Sequence, residues 1–484
     1  MPKHRPNTFI GRKTELAELE RFTKKTSASF IVVRGRRRIG KSRLIEEFGK
    51  NFDAFYSFIG LAPEKNVTKQ HQLEAFSLQI AQQFKTPRAR YDDWSDALWA
   101  VGGHVQSGKT LLLFDEISWM GSEDPTFLGK IKNFWDQHLK KNDQLIFIVC
   151  GSASSWIEKN ILSSTGFLGR ISYTLTLEEI SLHDCSLFWG ASSKHISAYE
   201  KLKILSVTGG IPKYLEEVDF KLSAEENIKN LCFKKGGFLA NEFNNIFSDL
   251  FLRDSILYRE IVQNLVSGSK EALEICDTLN IKQTGRFSEY LAELELAGFI
   301  KRDYAWHIES GHDSKLSKYR LSDNYLRFYL KYIDKYQTKI ARNSFTIKSI
   351  SSLPELQTIM GLQFENLVLN NRKEIHKILG LRAEDIVSEN PYFQRATKNQ
   401  LGCQIDYMIQ TKFNTLYLCE IKFSKNLVST KVIEEVNQKI DRLKFPKAYS
   451  IRPVLIHVNG VETDVEESDL FAAIIDFGSF LDKK

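Results

Sequence analysis

The sequence contains no long apolar stretch. No run approaches the ~18 apolar residues that a membrane-spanning helix needs, although 42% of the 484 residues are hydrophobic. The first residues, MPKHRPNTFIGRK, also lack the apolar core of a secretory signal. These absences argue against a membrane protein and a secreted protein, and we expect a cytoplasmic location.

Cysteine is scarce and scattered. The six cysteines form no C-x-x-C pair, which argues against a disulfide framework and a zinc site. We expect them to be reduced core residues. They are Cys150, Cys185, Cys232, Cys276, Cys403 and Cys419.

The net charge is small for the length of the chain. It is +7, from 67 basic and 60 acidic residues, which permits a nucleic-acid partner without requiring one. Six of the ten residues at 34–43 are basic. Such a cluster would attract polyphosphate, and it could also help to bind a DNA backbone.

The most specific motif lies in residues 30–48, FIVVRGRRRIGKSRLIEEF. Its apolar start predicts a strand, and its last residues have helical spacing. Between them Gly35, Gly40, Lys41 and Ser42 match the G-x4-G-K-[ST] phosphate-binding loop. Lys41 would reach the β and γ phosphates, and Ser42 would bind Mg2+. The motif predicts a nucleoside triphosphate site, with a basic surface turn as the alternative.

The same pattern recurs at 103–110, GHVQSGKT, in an inverted context. Helical spacing precedes it, and the apolar run LLLF follows it. Without a helix after the lysine there is no helix dipole to meet a phosphate. We therefore interpret Lys109 and Thr110 as a turn into a strand.

Two acids end the apolar run LLLFDE at 111–116. The carboxyl ends of strands are where open α/β sheets bind ligands. We expect Asp115 to hold Mg2+ through its water shell and Glu116 to polarise the attacking water. The alternative is that both acids only cap the next helix.

Two later positions keep two interpretations each. Ser152 lies among the small polar residues that end the run QLIFIVCGSAS at 144–154, and it could sense the γ-phosphate or cap a helix. Arg170 lies in GFLGR at 166–170. It could neutralise the transition state at a neighbouring subunit's ATP, or form a surface ion pair.

Two helix starts are also predicted. Thr14 is a candidate N-cap for an amphipathic helix in residues 9–22. Pro212, in TGGIPKYL at 208–215, suits the first turn of a helix. It lies where a helical lid would follow an α/β core.

The motifs FIGRKTEL, RGRRRIGKS, LLLFDE, CGSAS, LGR and GGIPKYL together resemble the archaeal-type ATPase family within the AAA+/STAND class of P-loop ATPases. The resemblance implies that the turn at Arg12 lies by the nucleotide base. It also implies that Pro212 stands at the second sensor, where ordinary AAA+ proteins have an arginine, and that Arg170 is a candidate arginine finger. The resemblance covers the first half of the chain strongly.

Residues 255–320 have helical spacing in three short segments, followed by an apolar strand. Three helices and a β-wing predict a winged helix-turn-helix with its recognition helix at 284–297. That helix carries Glu289, Glu293 and Glu295, and such acidity disfavours a phosphate backbone. DNA contact and protein packing are both open here.

Residues 401–423 have the alternation of a β-hairpin centred on residue 413. In that register Asp406 and Glu420 stand opposite each other, with Cβ atoms about 4.5–5.5 Å apart. Facing carboxylates repel, but a divalent cation would turn the repulsion into binding. Lys422 could then orient or activate the water that attacks a phosphodiester. The alternative is a solvent-facing strand on which one lysine pairs with two acids.

Helices are predicted on both sides of this hairpin, carrying Glu365 upstream and Gln438 and Lys439 downstream. A helix with Glu, a hairpin with Asp and Glu-x-Lys, and a second helix resemble the PD-(D/E)xK restriction-endonuclease-like fold found at the carboxyl end of the same ATPase family. The resemblance covers residues 350–484. It implies that Glu365 joins the two hairpin acids in binding Mg2+ or Mn2+.

We therefore expect an α/β multidomain protein with a P-loop parallel-sheet ATPase, a helical lid, a winged helix and connector, and a mixed α/β restriction-endonuclease-like domain. The predicted domains are 1–180, 181–250, 251–345 and 346–484. The expected function is an ATPase, with ATP and Mg2+ as cofactors, whose nucleotide cycle regulates a metal-dependent DNA endonuclease. The alternative is a STAND-type signalling switch whose C-terminal domain binds DNA or protein without cleaving. The expected partner is DNA, and Arg170 would require a homo-oligomer if it acts between subunits.

Overall fold

Five parallel strands form the central sheet of the first part of the chain. The computed structural model describes residues 8–62, 66–152, 154–247, 255–398 and 400–482. The strands are β1 (Ser29–Gly35), β2 (Ala54–Ile59), β3 (Thr110–Asp115), β4 (Leu145–Gly151) and β5 (Tyr173–Leu177). Their order across the sheet is β2-β3-β4-β1-β5, and every neighbouring pair is parallel.

Helices accompany this sheet, as a parallel topology requires. Strands β3 and β4 are buried along their whole length, which explains why their sequences are continuous apolar runs. The helices are α1 (Lys13–Glu20), α2 (Lys41–Gly49), α3 (Lys69–Phe84), α4 (Trp94–His104), α5 (Ile117–Met120), α6 (Phe127–Gln137) and α7 (Ser154–Ile157). The predicted parallel α/β layer is confirmed.

Two local predictions have opposite outcomes. The prediction that Thr14 caps a helix is wrong, because α1 begins one residue earlier at Lys13 and is preceded by Arg12 in the left-handed conformation, with φ 60°. The interpretation of Lys109 and Thr110 is confirmed. A turn leads from α4 into β3, which starts at Thr110.

Contacts divide the described chain into two compact units. The first consists mainly of residues up to Glu178, and the second contains most later residues. The second unit begins with α8 (Leu182–Leu187), α9 (Ala198–Thr208), α10 (Pro212–Glu216), α11 (Ala224–Ile228) and α12 (Phe238–Phe247). The predicted division into four domains is finer than these two units.

Three helices and a two-stranded hairpin follow in the second unit. They are α13 (Ser255–Asn264), α14 (Ala272–Leu279), α15 (Gly285–Leu296), β6 (Ile300–Trp306) and β7 (Asp313–Leu321). The two strands are antiparallel. This is the predicted order of elements for residues 255–320.

A second five-stranded sheet occupies the last third of the chain. The intervening helices are α16 (Asn324–Phe328), α17 (Gln337–Ala341), α18 (Leu356–Asn370) and α19 (Arg372–Ile378). The sheet and its helices are β8 (Ile386–Gln394), β9 (Cys403–Thr411), β10 (Thr415–Lys422), α20 (Lys431–Arg442), β11 (Ser450–His457), α21 (Thr463–Glu466) and β12 (Ala473–Asp476). Its order is β12-β11-β10-β9-β8. It is mixed, since β10 is antiparallel to β9 and parallel to β11.

The hairpin β6–β7 shares a hydrophobic core with this sheet. Trp306 belongs to the same buried cluster as Ile405 and Leu418. Its indole N–H also donates to Gln410 Oε1 at 2.5 Å. The hairpin and the sheet therefore pack as one body.

Two sequence-based expectations concern membrane-spanning helices and the burial of the cysteines. In the ranges that the structure describes, every helix is too short or too polar to cross a membrane. All six cysteines are buried, which is the predicted core role.

Candidate functional site

The phosphate-binding loop connects β1 to α2, and its two glycines have conformations that side chains would disturb. Gly40 has φ 92°, and it leads directly into Lys41, the first residue of α2. A Cβ atom on Gly35 would lie 2.5 Å from the carbonyl oxygen of Leu177. Only glycine allows this approach and this left-handed backbone. The loop and helix start have the geometry that phosphate binding needs.

Lys41 is held inside the loop. Its side chain is 7% exposed, and its Nζ donates to the carbonyl oxygens of Gly35 and Arg36 at 2.9 and 3.2 Å. The backbone therefore positions the ammonium within the loop that would receive a triphosphate.

Ser42 and Asp115 form the oxygen pair predicted for Mg2+. Ser42 Oγ donates to Asp115 Oδ2 at 2.5 Å, so helix α2 and the end of β3 bring the two groups together. A hydroxyl and a carboxylate fit the oxygen preference of Mg2+. When bound with ATP, this ion neutralises charge on the phosphates.

Glu116 follows β3 in a left-handed conformation, with φ 50°. Its Oε2 accepts two hydrogen bonds from Ser152, one from the backbone N–H and one from the hydroxyl, both at 3.1 Å. Burial raises the pKa of the Glu116 carboxyl, while the charge of Lys41 and the Ser152 hydrogen bonds oppose the rise. A buried carboxylate with a raised pKa suits a general base.

Close backbone contacts hold these strand ends in place. Gly60 follows β2, and its N–H donates to the carbonyl oxygen of Asp115 at 3.1 Å. A Cβ atom on Gly60 would lie 2.9 Å from the carbonyl oxygen of Glu116 and from the backbone nitrogen of Met120. The absence of a side chain here lets β2 fix the backbone that carries both acids.

Arg12 lies against the phosphate-binding loop. It is 4% exposed, and its Nη2 donates to the carbonyl oxygens of Ile39 and Glu178 at 3.1 and 2.6 Å. The Gly11–Arg12 turn is therefore connected to the loop and to the segment after β5. Its predicted place beside the nucleotide base stays a prediction.

Arg170 forms an ion pair within its own chain. Its Nε and Nη2 donate to the carboxylate of Asp136, with a shortest distance of 2.8 Å, and its Nη1 donates to the carbonyl oxygen of Gly166. This is the predicted surface pair. The finger role in a neighbouring subunit stays a prediction.

Pro212 is the first residue of α10, as predicted, and it lies in the second unit. The two glycines before it pack closely on Glu179 and Ile180. Gly210 N–H donates to Glu179 Oε2 at 3.0 Å, and Ile180 N–H donates to Gly210 O at 3.0 Å. The GGIP segment is thus fixed to the segment that follows the first unit, and its sensor role stays a prediction.

Strands β9 and β10 of the second unit pair in the predicted register. Tyr407 faces Cys419, and one further step in the same register would place Asp406 opposite Glu420. Asp406 Oδ2 accepts the backbone N–H of Ile421 at 3.0 Å. Glu420 is 2% exposed, so its carboxylate is withdrawn from solvent.

Two lysines contact the paired acids. Lys439, on α20, donates to Glu420 Oε2 at 2.5 Å and to Asp406 Oδ1 at 3.4 Å. Lys422 contacts Glu420 Oε1 at 2.9 Å and Glu435 Oε2 at 2.7 Å. The arrangement therefore has one more basic group than the sequence predicted.

Glu365, on α18, belongs to the same electrostatic cluster. Burial, together with the charge of Asp406, raises the pKa of its carboxyl to about 8, while Arg327 and Arg320 oppose the rise. Burial also raises the pKa of Asp406, and the charge of Glu420 adds to the effect. The acids therefore repel one another, as the hairpin argument predicted.

The carboxylate oxygens match the donor preference of Mg2+, but the cluster is not arranged as a metal cage. Among the residues that the structure describes, no three or more His, Cys, Asp or Glu side chains are placed to hold a metal ion. An ammonium group lies between Asp406 and Glu420 instead.

The acids of the predicted recognition helix have partners within the protein. Glu293 accepts a hydrogen bond from the hydroxyl of Tyr258, and Glu295 Oε1 accepts the backbone N–H of Arg302 at 2.9 Å. These contacts join α15 to α13 and β6, which favours the packing interpretation for these two side chains.

The sequence argument missed two contacts at these sites. It weighed Ser152 as a sensor or a helix cap, whereas its hydroxyl binds Glu116. It placed Lys439 on a helix without giving it a role. On the buried face of α20, the apolar spacing is interrupted at Lys439. This interruption is visible in the sequence.

Comparisons with known proteins support part of the sequence interpretation. Residues 9–218 match a family described as an ATPase domain predominantly from Archaea. This match supports ATP binding and ATPase activity for that part of the chain.

Relatives cover much of the chain. A Methanocaldococcus jannaschii protein named as uncharacterized is 26% identical over 373 residues, which are 76% of this chain and 78% of that protein. An uncharacterized ATP-binding protein of the same organism is 46% identical over 43 residues, 9% of this chain and 73% of its own length.

Solved structures with a similar fold include two archaeal proteins. The Walker-type ATPase of Pyrococcus abyssi is 16% identical, with a TM-score of 0.49, over 68% of this chain and 98% of its own. The Aeropyrum pernix ORC2 protein in ADPNP–ADP complexes is 14% identical, with a TM-score of 0.43, over 71% of this chain and 97% of its own.

Proposed function

We propose that this chain is an ATPase whose nucleotide cycle regulates a metal-dependent nuclease in its C-terminal part. The observation that carries the nuclease proposal is that Lys439 contacts the carboxylates of both Asp406 and Glu420, which the β9–β10 register would place opposite each other. Opposed buried acids are costly unless cations compensate them. Lys422 and Lys439 supply that compensation here, and a divalent cation would supply it when bound.

The proposed roles follow the resemblance to the PD-(D/E)xK fold. Glu365, Asp406 and Glu420 would bind Mg2+ or Mn2+, which when bound activates water and stabilises charge on a phosphodiester. Lys422 would lie beside the scissile phosphate. The order of α18, the β9–β10 hairpin and α20 supports this assignment, because these elements carry the acids and lysines in the expected sequence.

The ATPase part of the proposal gives each group one task. Lys41 would contact the triphosphate, and Ser42 and Asp115 would hold Mg2+. Glu116 would orient and deprotonate the attacking water, with Ser152 fixing its carboxylate. Arg12 and Pro212 would lie near the nucleotide, as the family resemblance implies.

The proposed connector is a winged helix formed by α13–α15 and the β6–β7 hairpin. Arg320 on β7 pairs with Asp303 on β6 at 2.9 Å and donates to Asn366, the neighbour of Glu365 on α18. Both members of the pair are buried. This contact links the hairpin to α18, the helix that carries a proposed metal ligand. The link supports regulation through the connector.

The proposed substrate is DNA. A positive net charge and the basic residues at 34–43 would favour a polyanion. We expect purified protein to nick supercoiled plasmid in the presence of Mg2+. Asp406→Ala should abolish nicking. Lys41→Ala should make the rate of nicking independent of ATP.

The matched control is Asp441→Ala, which removes an exposed acid from α20 and should leave nicking unchanged. If Asp406→Ala nicks DNA as fast as the unaltered protein, the nuclease assignment is wrong. Equal loss in Asp441→Ala would point to general damage rather than to lost metal ligands.

The second candidate is a switch whose C-terminal part binds DNA or protein without cleaving. The lack of a three-ligand metal cluster within the described ranges favours it. It predicts DNA retention in fluorescence anisotropy that neither EDTA nor Asp406→Ala weakens, together with no nicking under any divalent cation.

A further inference from the structure

We infer that Lys439 is a tethered cation that competes with a divalent ion for Asp406 and Glu420. The inference rests on the proposed metal site and adds a form of regulation to it. The ammonium of α20 holds the two acids together, and a metal ion gains full access to them only when that ammonium leaves.

Lys439 contacts one carboxylate oxygen of each acid. Its Nζ lies 2.5 Å from Glu420 Oε2 and 3.4 Å from Asp406 Oδ1. The other oxygen of Asp406 accepts the Ile421 N–H, and the other oxygen of Glu420 contacts Lys422. Departure of Lys439 would therefore leave one oxygen on each acid available to a metal ion.

The place of Lys439 on its helix shows that the contact is built into the fold. Val432 and Val436 on α20 and Leu443 directly after it are buried at successive helical spacings, and Lys439 occupies the position between the last two. An apolar residue would suit that position if it served packing alone. The lysine instead directs its charge at the two acids.

Lys439 can also leave without unfolding the helix. Its side chain is 25% exposed, so four rotatable bonds can move the ammonium to solvent while α20 remains in place. By contrast, the Asp406 and Glu420 carboxylates are 14% and 3% exposed. The cation is therefore the most solvent-accessible member of the group.

Competition of this kind lowers the apparent metal affinity by an amount that depends on how often the ammonium occupies the acids. The observed dissociation constant equals the intrinsic one divided by the fraction of protein in which the ammonium is away. If Lys439 contacts the acids nine times in ten, the apparent affinity falls about tenfold. Removing the charge should restore the intrinsic affinity.

The test measures Mn2+ binding to nucleotide-free, full-length protein by electron paramagnetic resonance and calorimetry. Lys439→Met keeps the length of the side chain and removes its charge, so we expect Mn2+ to bind at least about tenfold more tightly. Lys439→Arg keeps a charge and should bind Mn2+ as weakly as the unaltered protein. Lys431→Met, on an exposed position of α20, is the matched control and should change nothing.

The assignment of the signal to this site uses Asp406→Ala combined with Lys439→Met. The tight Mn2+-binding site should be absent from that double variant. Circular dichroism and thermal unfolding establish that each variant is folded, and Lys439→Gln replaces Lys439→Met if the latter is not.

The outcomes separate the inference from the proposed function. If an Asp406-dependent Mn2+ site exists but Lys439→Met binds no more tightly than Lys431→Met, competition is refuted and the metal site stands. If no variant has an Asp406-dependent Mn2+ site, the proposed nuclease centre and the inference both fail.

Discussion

Ser152 donates two hydrogen bonds to one oxygen of Glu116, each 3.1 Å long. The serine follows β4 and the glutamate follows β3, so the contact joins the ends of neighbouring parallel strands. A carboxylate held in this way has a fixed direction, and fixed direction is what a general base requires. In the proposed mechanism of ATP hydrolysis, the contact would make Ser152 a positioning residue for Glu116.

The two lysines of the repeated G-K-[ST] pattern should behave differently. Lys41→Ala should lower ATP hydrolysis by about a hundredfold or more, because an ammonium placed in the phosphate-binding loop is lost. Lys109→Ala should stay within about twofold, because that lysine lies in a turn before β3. A phosphate-release assay on both variants decides the matter. Equal losses would refute the choice between the two loops.

Removing the Ser152 hydroxyl should change the pH profile of hydrolysis. That hydroxyl lowers the pKa of Glu116 by stabilising its charged form, so Ser152→Ala should raise the pKa and move the acidic limb of kcat to higher pH. At neutral pH, kcat should fall roughly tenfold with little change in KM for ATP.

The control for this prediction is Ser163→Ala, which removes an exposed hydroxyl in the same half of the chain. It should reproduce the profile of the unaltered protein. An unshifted acidic limb in Ser152→Ala would mean that the hydroxyl does not act through Glu116.

Glu365 should make the protein less stable as the pH rises. Its pKa is raised to about 8, so between the ordinary glutamate value and about 8 the folded protein holds a proton that the unfolded chain has released. The free energy of unfolding therefore falls through this window. Thermal unfolding in EDTA should show Glu365→Gln melting a few degrees higher than the unaltered protein at pH 8, with the advantage gone at pH 5. A lower melting temperature at both values would contradict this.

Variants of Arg170 and Asp136 should distinguish an arginine finger from a surface ion pair. If Arg170 acts at a neighbouring subunit, Arg170→Ala should lower ATP hydrolysis about a thousandfold, and the specific rate of the unaltered protein should rise with its concentration. Asp136→Ala should keep its rate, because it frees the arginine rather than removing it. Equal, small effects in both variants would leave only the ion pair.

The sequence predicted those parts of the sites that depend on local geometry. The phosphate-binding loop, the strand that ends at Asp115 and the register of Asp406 with Glu420 all follow from motif spacing or strand alternation. Each involves residues that are close in sequence or related by one turn. The helix start at Thr14 failed because Arg12 adopts a left-handed conformation, which no composition rule signals for an arginine.

Contacts between distant segments were beyond sequence reasoning. Ser152 reaches Glu116 over 36 positions, and Lys439 reaches Glu420 over 19. Such pairs depend on how strands and helices are ordered in space, and periodicity describes only the face on which each side chain lies. The sequence therefore predicted the acids better than the groups that hold them.

The indole of Trp306 lies in the hydrophobic core of the C-terminal sheet and donates to Gln410. A gene fragment starting at residue 346 would therefore encode a sheet with an open hole where that indole belongs. A recombination event that carried the acidic hairpin together with the β6–β7 segment would keep this core filled.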